Sequence, residues 1–157
     1  MAFPTGEVKT ITGVNRNTLQ VWINLGFVSP SIEVAEGPGT RNLWSRFDLY
    51  SIALFRKITK SGISRNLVAD IISKGVITQE MAEADIEKIA CLFYVKFGEE
   101  SVAGLILQPA EKSFFEVLDD LGLPNYDFIY IANFVEIKKE VDIGIDKVTR
   151  EYWEARR

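Results

Sequence analysis

The sequence predicts an α+β fold, and three patterns carry that prediction. In the first half, apolar residues recur at helical spacing in four segments, interrupted once by a stretch rich in glycine and proline. Residues 90–107 hold two apolar runs separated by Gly98-Glu99-Glu100-Ser101, which reads as a β-hairpin. From residue 133 the helical spacing returns and continues almost to residue 157. Hydrophobic residues make up 47% of the chain, enough for an ordinary core in one or two small domains. The expected organisation is a mostly helical head at 1–75, a small mixed α/β module at 76–132, and a long helix at 133–157.

Within the head, Thr5 is placed to cap a first helix, with Glu7 in the turn where negative charge is favoured. Val8 and Ile11 give that helix one buried face, and Gly13 ends it. Asn15 caps a second helix expected over roughly 16–24. Its inward stripe is Leu19, Trp22 and Ile23, and its other face presents Arg16, Asn17 and Gln20. Gly26 closes it, and Phe27-Val28 begin an extended segment. Residues 29–40 read as a loop with its tip at Glu36-Gly37-Pro38-Gly39, and Arg41 and Asn42 follow on the return strand. Ser45-Arg46-Phe47-Asp48 has the form of a capping box, with aspartate in place of the usual Glu or Gln. The helix after it carries Leu49, Ile52, Ala53, Phe55 and Arg56 up to Gly62. Ser64 then caps a fourth helix with Leu67, Val68, Ile71 and Ile72, ending near Gly75.

Two helices joined at a glycine, a β excursion and a capped helix form the layout of a winged helix-turn-helix. In that fold the second helix is shaped to enter a DNA major groove. Arginine suits guanine, and asparagine or glutamine suits adenine. On this reading Asn15, Arg16, Asn17, Thr18 and Gln20 lie at the reading end. Arg41, Asn42 and Trp44 lie on the wing, with Arg41 along the phosphates. Charge agrees in direction. Residues 1–75 hold 9 Lys and Arg against 5 Asp and Glu, whereas residues 76–157 hold 9 against 17.

The stretches TGEVKTITGVNRNTLQVW, GPGTRNLWSRFDL and FRKITKSGISRNLVADII together resemble the DNA-binding domain of the MerR family of transcriptional regulators. The matching residues are Gly6-Glu7-Val8, Thr12-Gly13-Val14, Thr18-Leu19, Trp22, Arg41, Trp44, Asp48-Leu49 and Gly62-Ile63-Ser64, about half the chain. The pattern departs where the family usually has Arg and Tyr after Thr-Leu; here stand Gln20 and Val21. The interval from Arg41 to Trp44 is also one residue longer than in the commonest wing. The resemblance implies double-stranded DNA as partner, pairing into a homodimer through a long helix, and a small-molecule or protein effector.

In the second half, residues 76–88 are acidic and helix-compatible, with Met81, Ile86 and Ile89 loosely apolar. Strands are expected at 90–97, 102–107 and 126–132, and a helix from Pro109 to Leu121 stopped by Gly122. Its aromatic residues, among them Phe93, Tyr94, Phe97 and Phe128, read as core, with the lining of a ligand pocket as the other reading. Asn133 with Glu136 three residues on reads as the start of the last helix. There Phe134, Ile137, Val141, Ile145, Val148 and Tyr152 repeat at intervals of three and four, a heptad-like stripe. Ile137, Val141, Ile145, Val148 and Tyr152 are therefore candidates for dimerisation, and docking on the chain's own domain is the other reading. Gly144 interrupts the stripe's helical propensity.

Several function classes are not expected. The chain has no histidine and one cysteine, Cys91, so thiolate metal sensing lacks its ligands and no cofactor is expected. Glu116, Asp119 and Asp120 read as a solvated helix face, and no phosphate-cradling loop is present, so no enzyme is expected. No apolar run approaches the roughly 20 residues of a membrane span, and no signal peptide is visible, so a cytoplasmic protein is expected. The expected function is a sequence-specific transcriptional regulator. An architectural or recombination accessory protein, or a module whose head binds protein, is the alternative.

Overall fold

The computed structural model describes residues 1–75, 88–107, 113–120, 122 and 127–156. The acidic segment through Met81 and Ile86, the helix opening at Pro109, Leu121 and the strand start at Tyr126 lie outside the described residues. Among the described residues the protein is α+β. It has six helices, the last of them long, and a two-stranded and a three-stranded antiparallel sheet. The chain folds as two units, Met1–Ala69 with Glu136–Arg157, and Asp70–Val135. The long helix is thus not a separate element: from Glu136 onward it is part of the first unit.

The first unit starts with a short strand absent from the sequence reading, β1 (Phe3–Pro4). It pairs with β2 (Leu43–Trp44), setting Phe3 opposite Trp44. Helix α1 (Thr5–Thr12) follows at once, and its N-cap is Pro4 without a side-chain cap. Thr5 does not cap; its hydroxyl accepts a hydrogen bond from the Trp44 indole at 3.2 Å. Gly13, at φ +70°, turns the chain through Val14 and Asn15 into α2 (Arg16–Asn24). Asn15 caps α2 as expected, accepting the Thr18 N–H at 2.8 Å. Phe27-Val28 form no strand; the Phe27 N–H instead donates back to the Trp22 carbonyl.

Helix α3 (Arg46–Lys60) has the expected capping box, with Ser45 and Asp48 each satisfying the other's backbone N–H. Its Leu49, Ile52, Phe55 and Ile58 are fully buried and form the core of the unit with Val8, Leu19 and Trp22. The Phe55 ring lies 4.5 Å from Trp22 and 5.5 Å from Phe27. Helix α4 (Arg65–Gly75) begins at the Ser64 cap.

In the second unit, β3 (Ile89–Phe97) is central, flanked by β4 (Glu100–Leu107) and β5 (Phe128–Asn133). Gly98, at φ +58°, allows the two-residue turn between β3 and β4. Alternation sends Phe93 and Val95 to one face, where they bury Leu118 of α5 (Phe114–Asp120). The Glu116 carboxylate accepts the Ser113 N–H at 2.6 Å, while the Ser113 hydroxyl accepts the Glu116 N–H at 3.3 Å. Glu116 is exposed, as are Asp119 and Asp120, and it forms half of a capping box. Cys91 is half-buried on β3, and burial pushes its thiol up.

Helix α6 (Phe134–Glu154) starts directly where β5 ends, so Asn133 is the last strand residue. Its stripe turns inward. Phe134, Ile137 and Val141 are fully buried, Ile145 and Val148 half-buried, and Tyr152 exposed. As dimerisation residues, Ile137 and Val141 need correction, because the chain's own interior already covers them. Gly144 shows how α6 seats on the head. A Cβ there would stand 2.6 Å from the Ile11 backbone, so the absent side chain lets α6 and α1 approach closely.

Candidate nucleic-acid interface

Helix α2 places its residues by simple periodicity. Leu19 and Trp22 turn inward and are buried, which leaves Arg16, Asn17, Gln20 and Asn24 together on the exposed face. Gln20 Nε2 donates to Asn24 Oδ1 at 2.9 Å across one helical turn. Asn24 was missed in sequence, although its i+4 spacing from Gln20 is a legible signal. Asn15 and Thr18 sit at the helix start, where the cap holds the Asn15 oxygen and the Thr18 N–H.

Behind this face the turn is fixed from below. The Arg56 guanidinium donates to the Thr12 carbonyl at 3.0 Å and pairs with Glu140 of α6 at 2.8 Å. Its Cζ would lie 3.0 Å from a Cβ at Gly13, so glycine there meets both the positive φ and the close guanidinium.

The loop after α2 is braced along its length. The Ser31 N–H and hydroxyl donate to the Asp48 carboxylate at 3.0 and 2.9 Å, tying the loop base to the α3 cap. Glu33 bridges Leu43 across the loop. At the tip the Thr40 hydroxyl accepts the N–H groups of Glu36 and Gly37, and Gly39 takes φ +90°. Residues 31–41 are all exposed, Arg41 included. Asn42 is half-buried, and its side chain accepts the Ala35 N–H at 2.7 Å, so it shapes the loop.

Trp44 does not belong to an exposed interface. It is 0% exposed, packed opposite Phe3 with its indole N–H bonded to Thr5. A large ring beside a two-strand pairing buries far more area inward than it could offer outward. Nothing in the sequence announced β1, so the residue that covers Trp44 was invisible.

Charge on this unit is set by α6 as well as by the head. Residues 46 and 142 form an ion pair at 2.7 Å (Arg46 to Asp142), so Arg46 and Arg56 both serve α6. The loop carries Glu33 and Glu36 beside Arg41. Even so, the first unit holds 14 Lys and Arg against 10 Asp and Glu, and the second holds 4 against 12. The surplus of cations resides in the unit that carries α2.

No protein-family model matches the chain, and no curated protein does. No helix among the described residues is long and apolar enough to cross a membrane.

Proposed function

We propose that the protein is a double-stranded-DNA-binding transcriptional regulator that reads the major groove with α2 and grips phosphate with Arg16 and Arg41. The observation that carries this reading is the α2 face. Arg16, Asn17, Gln20 and Asn24 present hydrogen-bonding groups together on a helix whose opposite face is anchored in the core. The cation surplus of that unit supports the same partner. On this reading the protein acts in the cytoplasm as a regulator of MerR-like type.

A homodimer on a two-fold site belongs to this proposal. With Ile137 and Val141 buried, pairing falls to the exposed end of α6, where Tyr152 and Trp153 are 46% and 61% exposed. Sedimentation of Trp153→Ser should then show a weaker dimer, and an unchanged equilibrium would remove that end from the interface.

Binding to random-sequence duplex across a salt series tests the DNA reading. Affinity should fall steeply as salt rises, because neutralised phosphates release counterions. A chain that binds no duplex at low salt is not a DNA-binding protein. A protein-interaction head is favoured by one observation. Val21, Leu25, Ile32 and Val34 are apolar, and each is 46% exposed or more along α2 and the loop.

A further inference from the structure

We infer that Gln20, held by Asn24, selects adenine in the major groove. This rests on the DNA-binding reading above. Among the described residues, the bond from Gln20 Nε2 to Asn24 Oδ1 is the side-chain contact that Gln20 makes. A primary amide has two N–H groups and one oxygen, so one N–H can serve Asn24. The other N–H and Oε1 remain as a donor–acceptor edge, on a side chain that would otherwise rotate freely.

Base chemistry then chooses the partner. Guanine offers two acceptors at O6 and N7, which call for two donors, as arginine supplies. Cytosine offers a donor alone, and thymine an acceptor beside a methyl group. Adenine offers an acceptor at N7 and a donor at N6, so it alone among the four uses both halves of the amide edge. Val21, the next residue on α2, is 46% exposed, and an apolar side chain there suits the thymine methyl of an A·T pair. Asn24 is the positioning residue. It biases the amide toward one rotamer before DNA arrives, so less rotamer freedom is lost on binding.

The experiment selects bound sites from a pool of randomised duplexes with the full chain, then repeats it with variants. The wild type should enrich adenine at one position in each half-site. Replacing that adenine by 7-deazaadenine should weaken binding about two- to tenfold, because it removes one of the two bonds of the bidentate contact. Gln20→Ala should flatten the preference there and nowhere else, and Gln20→Glu should shift it toward cytosine. Asn24→Ala should weaken the adenine preference, and Asn24→Asp, which keeps an acceptor oxygen for Gln20, should restore it. An adenine position indifferent to Gln20→Ala and to 7-deazaadenine overturns the inference but leaves the DNA reading intact. The Gln20–Asn24 pair would then only brace the helix. Failure to bind any duplex at low salt overturns both.

Discussion

Asp142 gathers three polar partners within the first unit. Its carboxylate accepts from the Tyr50 hydroxyl at 2.6 Å, from Arg46 at 2.7 Å and from Lys138 at 2.9 Å. Burial alone would raise the Asp142 carboxyl, but hydrogen bonds from Tyr50, Arg46 and Lys138 outweigh it and hold the group below its usual 3.8. Burial first, and then the bond to Asp142, push the Tyr50 hydroxyl well above its usual range. Because Asp142 binds its proton less readily when folded, its contribution is complete above about pH 4. It is lost as pH falls through the lower folded value. Asp142→Asn should cost about 1–3 kcal/mol near neutral pH, since the negative charge facing Arg46 and Lys138 is lost and one of the two acceptor oxygens becomes a donor. Urea midpoints measured from pH 7 down to 3 should draw together below about pH 4; a gap that stays constant over the whole range would show the charge is not its source. Trp44→Ala should cost about 3–5 kcal/mol through the cavity it leaves. A stable Trp44→Ala protein that loses DNA affinity alone would place Trp44 at the interface after all.

Two glycines at the level of elements look alike in sequence and differ in what surrounds them. Gly144 lies inside α6, where alanine would gain about 1 kcal/mol of helix propensity. Yet the added Cβ would meet the Ile11 backbone at 2.6 Å, and backbone cannot rotate away. Gly144→Ala should therefore destabilise by about 1–3 kcal/mol in spite of propensity. Gly104 on β4 stands opposite Phe93, and a Cβ there would meet the tip of that ring at 2.7 Å. A ring tip can swing by a small rotation about its own bonds, so Gly104→Ala should cost less than Gly144→Ala. Thermal melts of both variants check the order, and the reverse ranking would mean α6 is not tightly seated on α1. The two capping boxes make a related contrast. Ser45–Asp48 was legible because an apolar helix follows it directly. Ser113–Glu116 was hidden because the helix was expected to open earlier, at Pro109.

The whole molecule separates charge by unit, and α6 changes which cations the head can offer. Arg46 and Arg56 pair with α6 acids, so on the proposed DNA-binding reading phosphate contact is assigned to exposed residues such as Arg16 and Arg41. Arg41→Ala should weaken binding evenly across sequences and lower the salt slope by about one. A loss confined to one base position would show a different role. Deleting 134–157 should destabilise the head as well as alter association. It removes Val141 and the Gly144 seat and leaves Arg46 and Arg56 without their partners. A truncated chain whose head melts at the full-length temperature would show that α6 is only an appendage.

The fold class, the bounds of α2, its cap at Asn15 and the box at Ser45–Asp48 all depend on residues within one or two turns of each other. Local chemistry determines such features, and they stood in the sequence. The exposed face of Arg16, Asn17 and Gln20 was legible for the same reason. Trp44, Ile137 and Val141 were not, because their surroundings come from far along the chain. Phe3 pairs opposite Trp44 through a two-residue strand too short to leave a pattern. An apolar stripe on α6 reads the same whether a second copy or the chain's own interior covers it. Only the close approach at Gly144 and the bonds to Asp142 decide for docking, since both join residues about 90 or more positions apart.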